Sequence, residues 1–540
     1  MAKGYRPVNR EQPFLLPPDM REWLPAGHLA WFVIDAVGAL DLGRFAARQT
    51  PARSLAGRAA YDPAVLLGLL VYGYATGVRS SRRIERACAE DVAFRVICAQ
   101  DVPDHATVAR FRREHFADAA AVEGLFGQVL ALAAAAGLGR LGLIALDGTK
   151  VAAAASKDAN RAEAGLRELA RQILAEAEAV DAAEDELWGD ARGDELPAEL
   201  ADPKTRKDRI AAALAGLEAE RRAAQQERDK RASAYLERHA AGRGGGAPRE
   251  VRVAAAAAQL DREIARYQAK AAAWRARVAA ARRAGRPLPG RPPVPVSEYC
   301  RVKTAAARLA TAQASAAEPA APAGRQRAPR GNGPGPVRNI TDPDSRLMPL
   351  RGGGFIQGYN AQAIRSADGL CLATLVTQQT TDYACFQPMI GKAEAAQDLL
   401  RAHARGPLHR KRARIGTLLA DAGYLSGQNL TCPGPDRLIA VGKRRDLEQA
   451  TSDHPATPAG GHGGDAAAAM AARLATLQGR AAYRHRGPLA EGPFGDIKHN
   501  RGFRRFSMRG LQRVTSEWTF QNAVTNLLKI HATGWSPAPA

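Results

Sequence analysis

The sequence predicts a mixed α and β chain (α+β / α/β) assembled from unlike parts, and three observations lead there. Capped apolar helical stretches fill residues 1–140. Short apolar runs that end in an acid occur at 141–147 and again at 415–421. Between them, residues 155–290 are rich in Ala, Glu, Arg and Gln and carry helical periodicity. Five segments follow: a helical N-terminal region over 1–140, a first strand with its flank over 141–154, a helical insertion over 155–290, a Pro/Gly/Arg-rich linker over 291–338, and a strand-and-helix region over 339–535. At 540 residues the chain exceeds what one core usually holds.

The helical expectation begins at Tyr61–Thr76, where Asp62 is placed to cap, Pro63 suits the first helical position and Gly77 ends the run. Ser80–Phe94 reads as a second helix, with Ile84, Ala87, Cys88 and Val92 on its apolar side. Asp104–His115 reads as a third; Val108 and Phe111 face a core while Arg110, Arg112 and Arg113 point away from it. Short helices with an Arg-bearing last member could read DNA, or could form a bundle with a solvated basic face. Leu141–Leu146 is an apolar run that delivers Asp147 at or near its end, followed by Gly148, Thr149 and Lys150. The alternative is a turn aspartate in a DG pair.

In the insertion, Leu166, Leu169, Ile173 and Val180, then Ile210, Leu214 and Leu217, then Leu260, Ile264, Tyr267 and Trp274 recur at helical spacing, as in paired long helices or a coiled coil. Residues 291–338 read as flexible cationic linker. Beyond it, Phe355–Ile364 and Leu370–Gln379 form a hairpin around Ser366-Ala367-Asp368-Gly369, a helix covers Gln387–Ala404, and Ile415–Ala420 is a strand that ends at Asp421. Leu438–Val441 is a further strand. Residues 445–470 read as mostly loop, and Leu511–His531 is a closing helix with Val514, Trp518, Phe520 and Ala523 inward.

Lys plus Arg number 77 against 55 Asp plus Glu, a net charge of +22, which points to an acidic polymer such as nucleic acid. No apolar run reaches the roughly 18–20 residues of a spanning helix, and the first residues lack the apolar core of a signal peptide, so no membrane role and a cytoplasmic, nucleoid-associated location are expected. The six cysteines show no zinc spacing and read as reduced structural thiols.

Chemistry gathers in YRHRGPLAEGPFGDIKHNRGFRRFSMR, residues 483–509. Glu491 stands there in a cationic field that includes Arg486, Lys498, Arg501, Arg504 and Arg505, and Glu491 and Lys498 lie i and i+7, on one face of a helix. Pro493 is tolerable if that helix starts close to Glu491. The plain alternative is a basic surface helix. Brought together, Asp147, Asp421 and Glu491 could hold two divalent cations for an in-line phosphoryl displacement, and oxygen-only ligands suit Mg²⁺ or Mn²⁺.

LIALDGTK, LLADAGYLS and the spaced Tyr483, Arg486, Glu491 and Lys498 followed by GFRRF resemble the catalytic motifs of insertion-sequence DDE transposases, specifically the bacterial group with a YREK signature. YDPAVLLGLLVYGYATGVRSSRRIERACAEDVAFR resembles that group's helical N-terminal domain, and NITDPDSRLM and GYNAQA its second-strand region. Four residues separate Arg486 from Glu491 where the usual signature has three. The resemblance implies an RNase H-like mixed sheet flanked by helices. It implies that Asp147, Asp421 and Glu491 are catalytic and bind two Mg²⁺ or Mn²⁺ ions, and that Tyr483, Arg486 and Lys498 contact phosphates at the transposon end. It further implies metal-dependent strand cleavage and strand transfer on double-stranded DNA, at terminal inverted repeats and target, by a homodimer on DNA. The other readings are a catalytically inactive or domesticated DNA-binding descendant, a helical scaffold, and a nuclease that cleaves without joining.

Overall fold

The computed structural model describes residues 19–46, 60–162, 164–168, 203–240, 249–287, 290–317, 337–350, 353–442 and 464–537. The stripe from Leu169 to Val180 and most of the loop expected at 445–470 lie outside them. The chain forms two compact units, one of residues 1–160 with 338–540 and one of 161–337. The helical N-terminal region is therefore continuous with the sheet region rather than a separate body.

The sheet has six strands: β1 (Leu143–Ala152), β2 (Arg346–Pro349), β3 (Phe355–Ser366), β4 (Cys371–Thr377), β5 (Thr417–Ala420) and β6 (Asp436–Ile439). Its order is β4-β3-β1-β5-β6, with β2 along the first residues of β3. β4, β3 and β1 are antiparallel neighbours, while β1, β5 and β6 run parallel. The β3–β4 turn forms as its residues require: Gly369 takes φ +84°, and Ser366 Oγ donates to Asp368 Oδ1 at 2.5 Å and accepts from Leu370 N.

β1 corrects one expectation. The strand does not stop at Asp147 but runs five residues further, to Ala152. Gly148 is not a turn glycine. It sits mid-strand opposite Gln362, and a Cβ there would lie 2.2 Å from Gln362 Nε2. Glycine is needed because the Gln362 side chain crosses that point.

The N-terminal helices follow their caps. Asp62 accepts from Ala64 N at 2.8 Å and Gly77 closes Pro63–Thr76 at φ +84°. The stretch Ser80–Phe94 differs: it is two helices, Ser81–Glu90 and Val92–Ile97, because Asp91 takes an extended conformation and caps the second through Ala93 N. Further helices span Leu29–Gly38, His105–His115 and Ala119–Ala135.

The middle of the helix Leu511–His531, from Ser516 to Leu527, is buried on every side, between strand β4 and the helices Pro63–Thr76 and Ala119–Ala135. Val514, Trp518, Phe520 and Ala523 are buried, as expected, but so are Glu517, Gln521, Asn522 and Asn526. Burial of such groups is tolerated where they find partners, as Glu517, Asn522 and Asn526 do; the Gln521 side-chain amide has none among the described residues. Glu517 accepts from Ser507 N, Met508 N and Tyr74 Oη at 2.9–3.0 Å, and Asn526 bonds both the N–H and the carbonyl of Cys371. This fastens the 501–509 loop and the N-terminal helices to one side of the sheet.

In the second unit, helices Pro203–Ala240, Arg249–Arg283 and Cys300–Ala317 pack in sequence order. The last of these lies inside the expected 291–338 linker. Its core, VKTAAARLATAQASAA, is a strong helix-forming stretch hidden between Pro- and Gly-rich flanks. Tyr299 meets the Tyr267 ring at 5.3 Å, and Tyr267 Oη donates to Val294 O at 2.8 Å. Leu217 is buried, whereas Leu260, Ile264, Tyr267 and Trp274 are half-buried.

Candidate active site

The parallel register of β1 and β5 sets two of the predicted acids side by side. Leu146 lies opposite Ala420, so Asp147 and Asp421 are the next residues on neighbouring strands. Asp147 Oδ1 accepts from Gly148 N, and Asp421 Oδ1 caps the following turn through Gly423 N, each at 2.9 Å. Tyr483 Oη donates to Ala420 O at 3.1 Å and docks the next helical segment at the end of β5.

Arg486 and Glu491 arrive on the helix Arg486–Gly495, which packs on β1. That helix begins five residues before Glu491 and holds Pro493 in its interior, contrary to the expected start near Glu491. A proline there removes an N–H donor. A π turn over Asp496–Asn500 follows, in which Arg501 N bonds Asp496 O. Phe494 stacks with Trp518 at 6.1 Å, and Ile497 is fully buried.

The guanidinium of Arg486 joins all three acids. Its Nη2 lies 2.9 Å from Asp147 Oδ2 and 3.6 Å from Asp421 Oδ2, and its Nη1 lies 3.1 Å from Glu491 Oε1. The side chains of Arg486 and Asp147 are only 11% and 8% exposed. Burial works against the charge on Arg486, yet Asp147 and Asp421 outweigh it and raise its pKa above the usual arginine value. The Tyr483 hydroxyl is pushed upward by burial, with Asp421, Asp147 and Glu491 adding to the shift against Arg486.

Lys498 does not stand free beside Glu491. Its ammonium donates to Thr149 Oγ1 at 2.5 Å and to Lys150 O at 2.9 Å, and burial lowers its pKa. Arg501 departs from the expected DNA-contact set: it is 5% exposed and its guanidinium is turned inward to Asp496 and Thr525. Arg112 is also turned in, donating to Arg79 O at 2.7 Å. Arg110, Arg113, Arg504 and Arg505 are exposed. The loop carrying Arg504 and Arg505 is fixed to the end of β1, where Ala152 N bonds Arg504 O and Phe506 N bonds Ala152 O.

A polar layer beneath the acids was not foreseen. Asp382 accepts from Asn360 at 2.6 Å and Gln362 at 2.8 Å and lies 3.5 Å from the Lys150 ammonium. The Tyr424 hydroxyl donates to Gln362 Oε1. A Cβ on Gly423 would meet Asp421 Oδ1 at 2.9 Å and Asp382 Oδ2 at 3.2 Å, so the fourth carboxylate borders the cluster. One signal was present: Asn360 and Gln362 stand two residues apart on a strand, which puts two amides on one face.

Three carboxylates at the sheet, beside a cationic loop, provide an all-oxygen donor set. That chemistry fits a hard divalent cation. As they stand, no three acid, His or Cys groups among the described residues are spaced to hold an ion directly, and Arg486 meets the cluster's need for positive charge.

A carboxylate cluster of this kind in a basic chain suits a protein that acts on nucleic acid. Residues 18–114 match the family model described as Transposase domain (DUF772), and residues 462–531 match Transposase DDE domain. The second match spans Tyr483, Arg486, Glu491 and Lys498. No curated protein and no solved structure matches the chain significantly. The two matches support an insertion-sequence DDE transposase, and a DDE domain implies a DNA-cleaving phosphoryl transferase.

Proposed function

We propose that Asp147, Asp421 and Glu491 form the reaction centre for strand cleavage and strand transfer at the ends of the element, and that together they hold two Mg²⁺ or Mn²⁺ ions. Bound there, such ions would supply an activated water or 3′ hydroxyl and stabilise the leaving oxygen. The observation that carries the reading is the convergence of three acids from distant stretches on one guanidinium, within 3.6 Å. The strand order and directions support an RNase H-like core.

The chain's own residues have distinct tasks. Arg486 offers a fork of donors suited to a phosphate, for which DNA would compete with the three carboxylates. Lys498, bonded to the β1 backbone, braces Glu491's helix against the strand that carries Asp147. Tyr483 holds the approach to that helix against the end of β5. Arg504, Arg505, Arg110 and Arg113 present charge to the DNA backbone. Asp382, Gln362 and Tyr424 fix the floor under Asp421. Joining two ends calls for two such centres, hence a homodimer on DNA.

Glu491→Gln tests the reading. It removes one charge from a half-exposed side chain. End-duplex binding should stay within about threefold of wild type while nicking of that duplex disappears. Persistent nicking would sink the assignment.

A further inference from the structure

The opposite end of the same strands carries a feature that the reaction centre does not use. Between Asp398 and Asp421 the sequence has no acid, yet it holds Arg401, Arg405, Arg410, Lys411, Arg412 and Arg414. The backbone of this stretch is fixed: Leu400 and Ala413 are buried, Leu141 N bonds Arg412 O, and Ile415 N bonds Gln397 Oε1 at 2.7 Å. Arg410, Lys411, Arg412 and Arg414 are exposed. Arg401, Arg410, Lys411 and Arg414 line a surface hollow of about 430 Å³ together with Gly406 and Pro407. This is a set of cations held in place by a rigid backbone, not a tail.

We propose that this hollow and its rim bind the phosphate backbone of duplex DNA, and that they engage a segment other than the one at the carboxylates. The second clause rests on the proposed reaction centre. Arg414 precedes β5 and Asp421 follows it, so the four-residue strand separates them by roughly 13 Å. Duplex DNA carries a charge about every 1.7 Å along its axis, so that gap spans about eight charges and no single phosphate serves both places. Arg410, Lys411 and Arg414 are exposed cations with no acid within nine residues before or six after them, and such cations are suited to polyphosphate contact without base readout.

The test is the salt dependence of binding to a duplex of unrelated sequence. The full chain with Arg401→Ala, Arg410→Ala, Lys411→Ala and Arg414→Ala is compared with wild type. A second variant removes four exposed arginines of the insertion: Arg275, Arg277, Arg282 and Arg283. If the hollow contacts phosphates, the slope of log affinity against log salt falls by about three to four in the first variant, and end-duplex nicking in low salt is retained. An unchanged slope, or an equal fall in both variants, overturns the proposal; the equal fall would mean that only net charge was being read. Should the fourfold variant fail to fold, Arg410→Ala with Lys411→Ala should lower the slope by about half as much. The readout needs no catalysis, so absence of nicking in wild type would sink the reaction-centre reading and leave this result intact.

Discussion

Replacing Arg486 by alanine removes the guanidinium that neutralises the carboxylate cluster, and its cost can be worked from the distances. At an effective dielectric of about 20, a charge pair at 2.9 Å attracts by about 6 kcal/mol and one at 3.6 Å by about 5 kcal/mol. Desolvation of Arg486 and Asp147 offsets much of this, and Glu491 is 56% exposed, so its pair adds little. Losing one partner of a buried pair leaves a destabilisation of about 3 kcal/mol at neutral pH. Asp147 and Asp421 then repel each other across adjacent strands, which is the condition in which a divalent cation is wanted most. Thermal unfolding with increasing MgCl₂ reads both effects. Arg486→Ala should melt several degrees below wild type without Mg²⁺ and recover most of the difference with it; binding at 100 times the Kd contributes about 2.7 kcal/mol. Wild type, in which the guanidinium competes for the same oxygens, should move less. An equal Mg²⁺ shift in the two proteins, or none in the variant, refutes the idea that Arg486 and metal share these ligands.

Two further outcomes follow from the packing. Gly148→Ala puts a methyl 2.2 Å from Gln362 Nε2, an amide already committed to Asp382 and Asn360. It should lower urea stability by about 1–3 kcal/mol and reduce nicking; wild-type values for both would mean that the amide layer yields freely. Asp436 is held below the usual aspartate pKa first by the hydrogen bond from Arg473, at 2.6 Å. Because its folded pKa is the lower one, its stabilising effect is present above pH 3.8 and fades as pH falls through the folded value. Both side chains are over 40% exposed, so Arg473→Ala should cost under about 1 kcal/mol at pH 7. The cost should shrink as pH falls through the folded value of Asp436; a penalty that stays constant as the carboxylate protonates would show that the ion pair is not its source.

The sequence was most informative where local rules decide structure. Asp62, Asp104 and Gly77 mark helix ends by their own hydrogen bonding and backbone freedom, and Ser366–Gly369 specifies its turn. The closing helix was predicted over Leu511–His531 and spans those residues. It was less informative where partners come from far away. Nothing local says that Leu146 will lie opposite Ala420, though the repeated apolar-run-then-acid pattern pointed to both acids. Arg501 and Arg504 are indistinguishable as letters in a basic run, yet Asp496 and Thr525 draw the first inward. Asp382 was missed because an aspartate in a polar loop has no signature until Asn360 and Gln362 reach it from another strand. The helix Cys300–Ala317 was missed because composition was averaged across its Pro- and Gly-rich flanks.

The topology also bears on how the chain is made. β1 ends at Ala152, and β3, its antiparallel neighbour, does not begin until Phe355. At about 5–20 residues per second of synthesis, the central strand would leave the ribosome some 10–40 s before that neighbour exists. During that interval Ile144, Ala145 and Leu146, which are fully buried in the finished sheet, have only the nascent N-terminal helices to shelter them. Chaperone capture of ribosome-bound chains should therefore concentrate on lengths between those two strands.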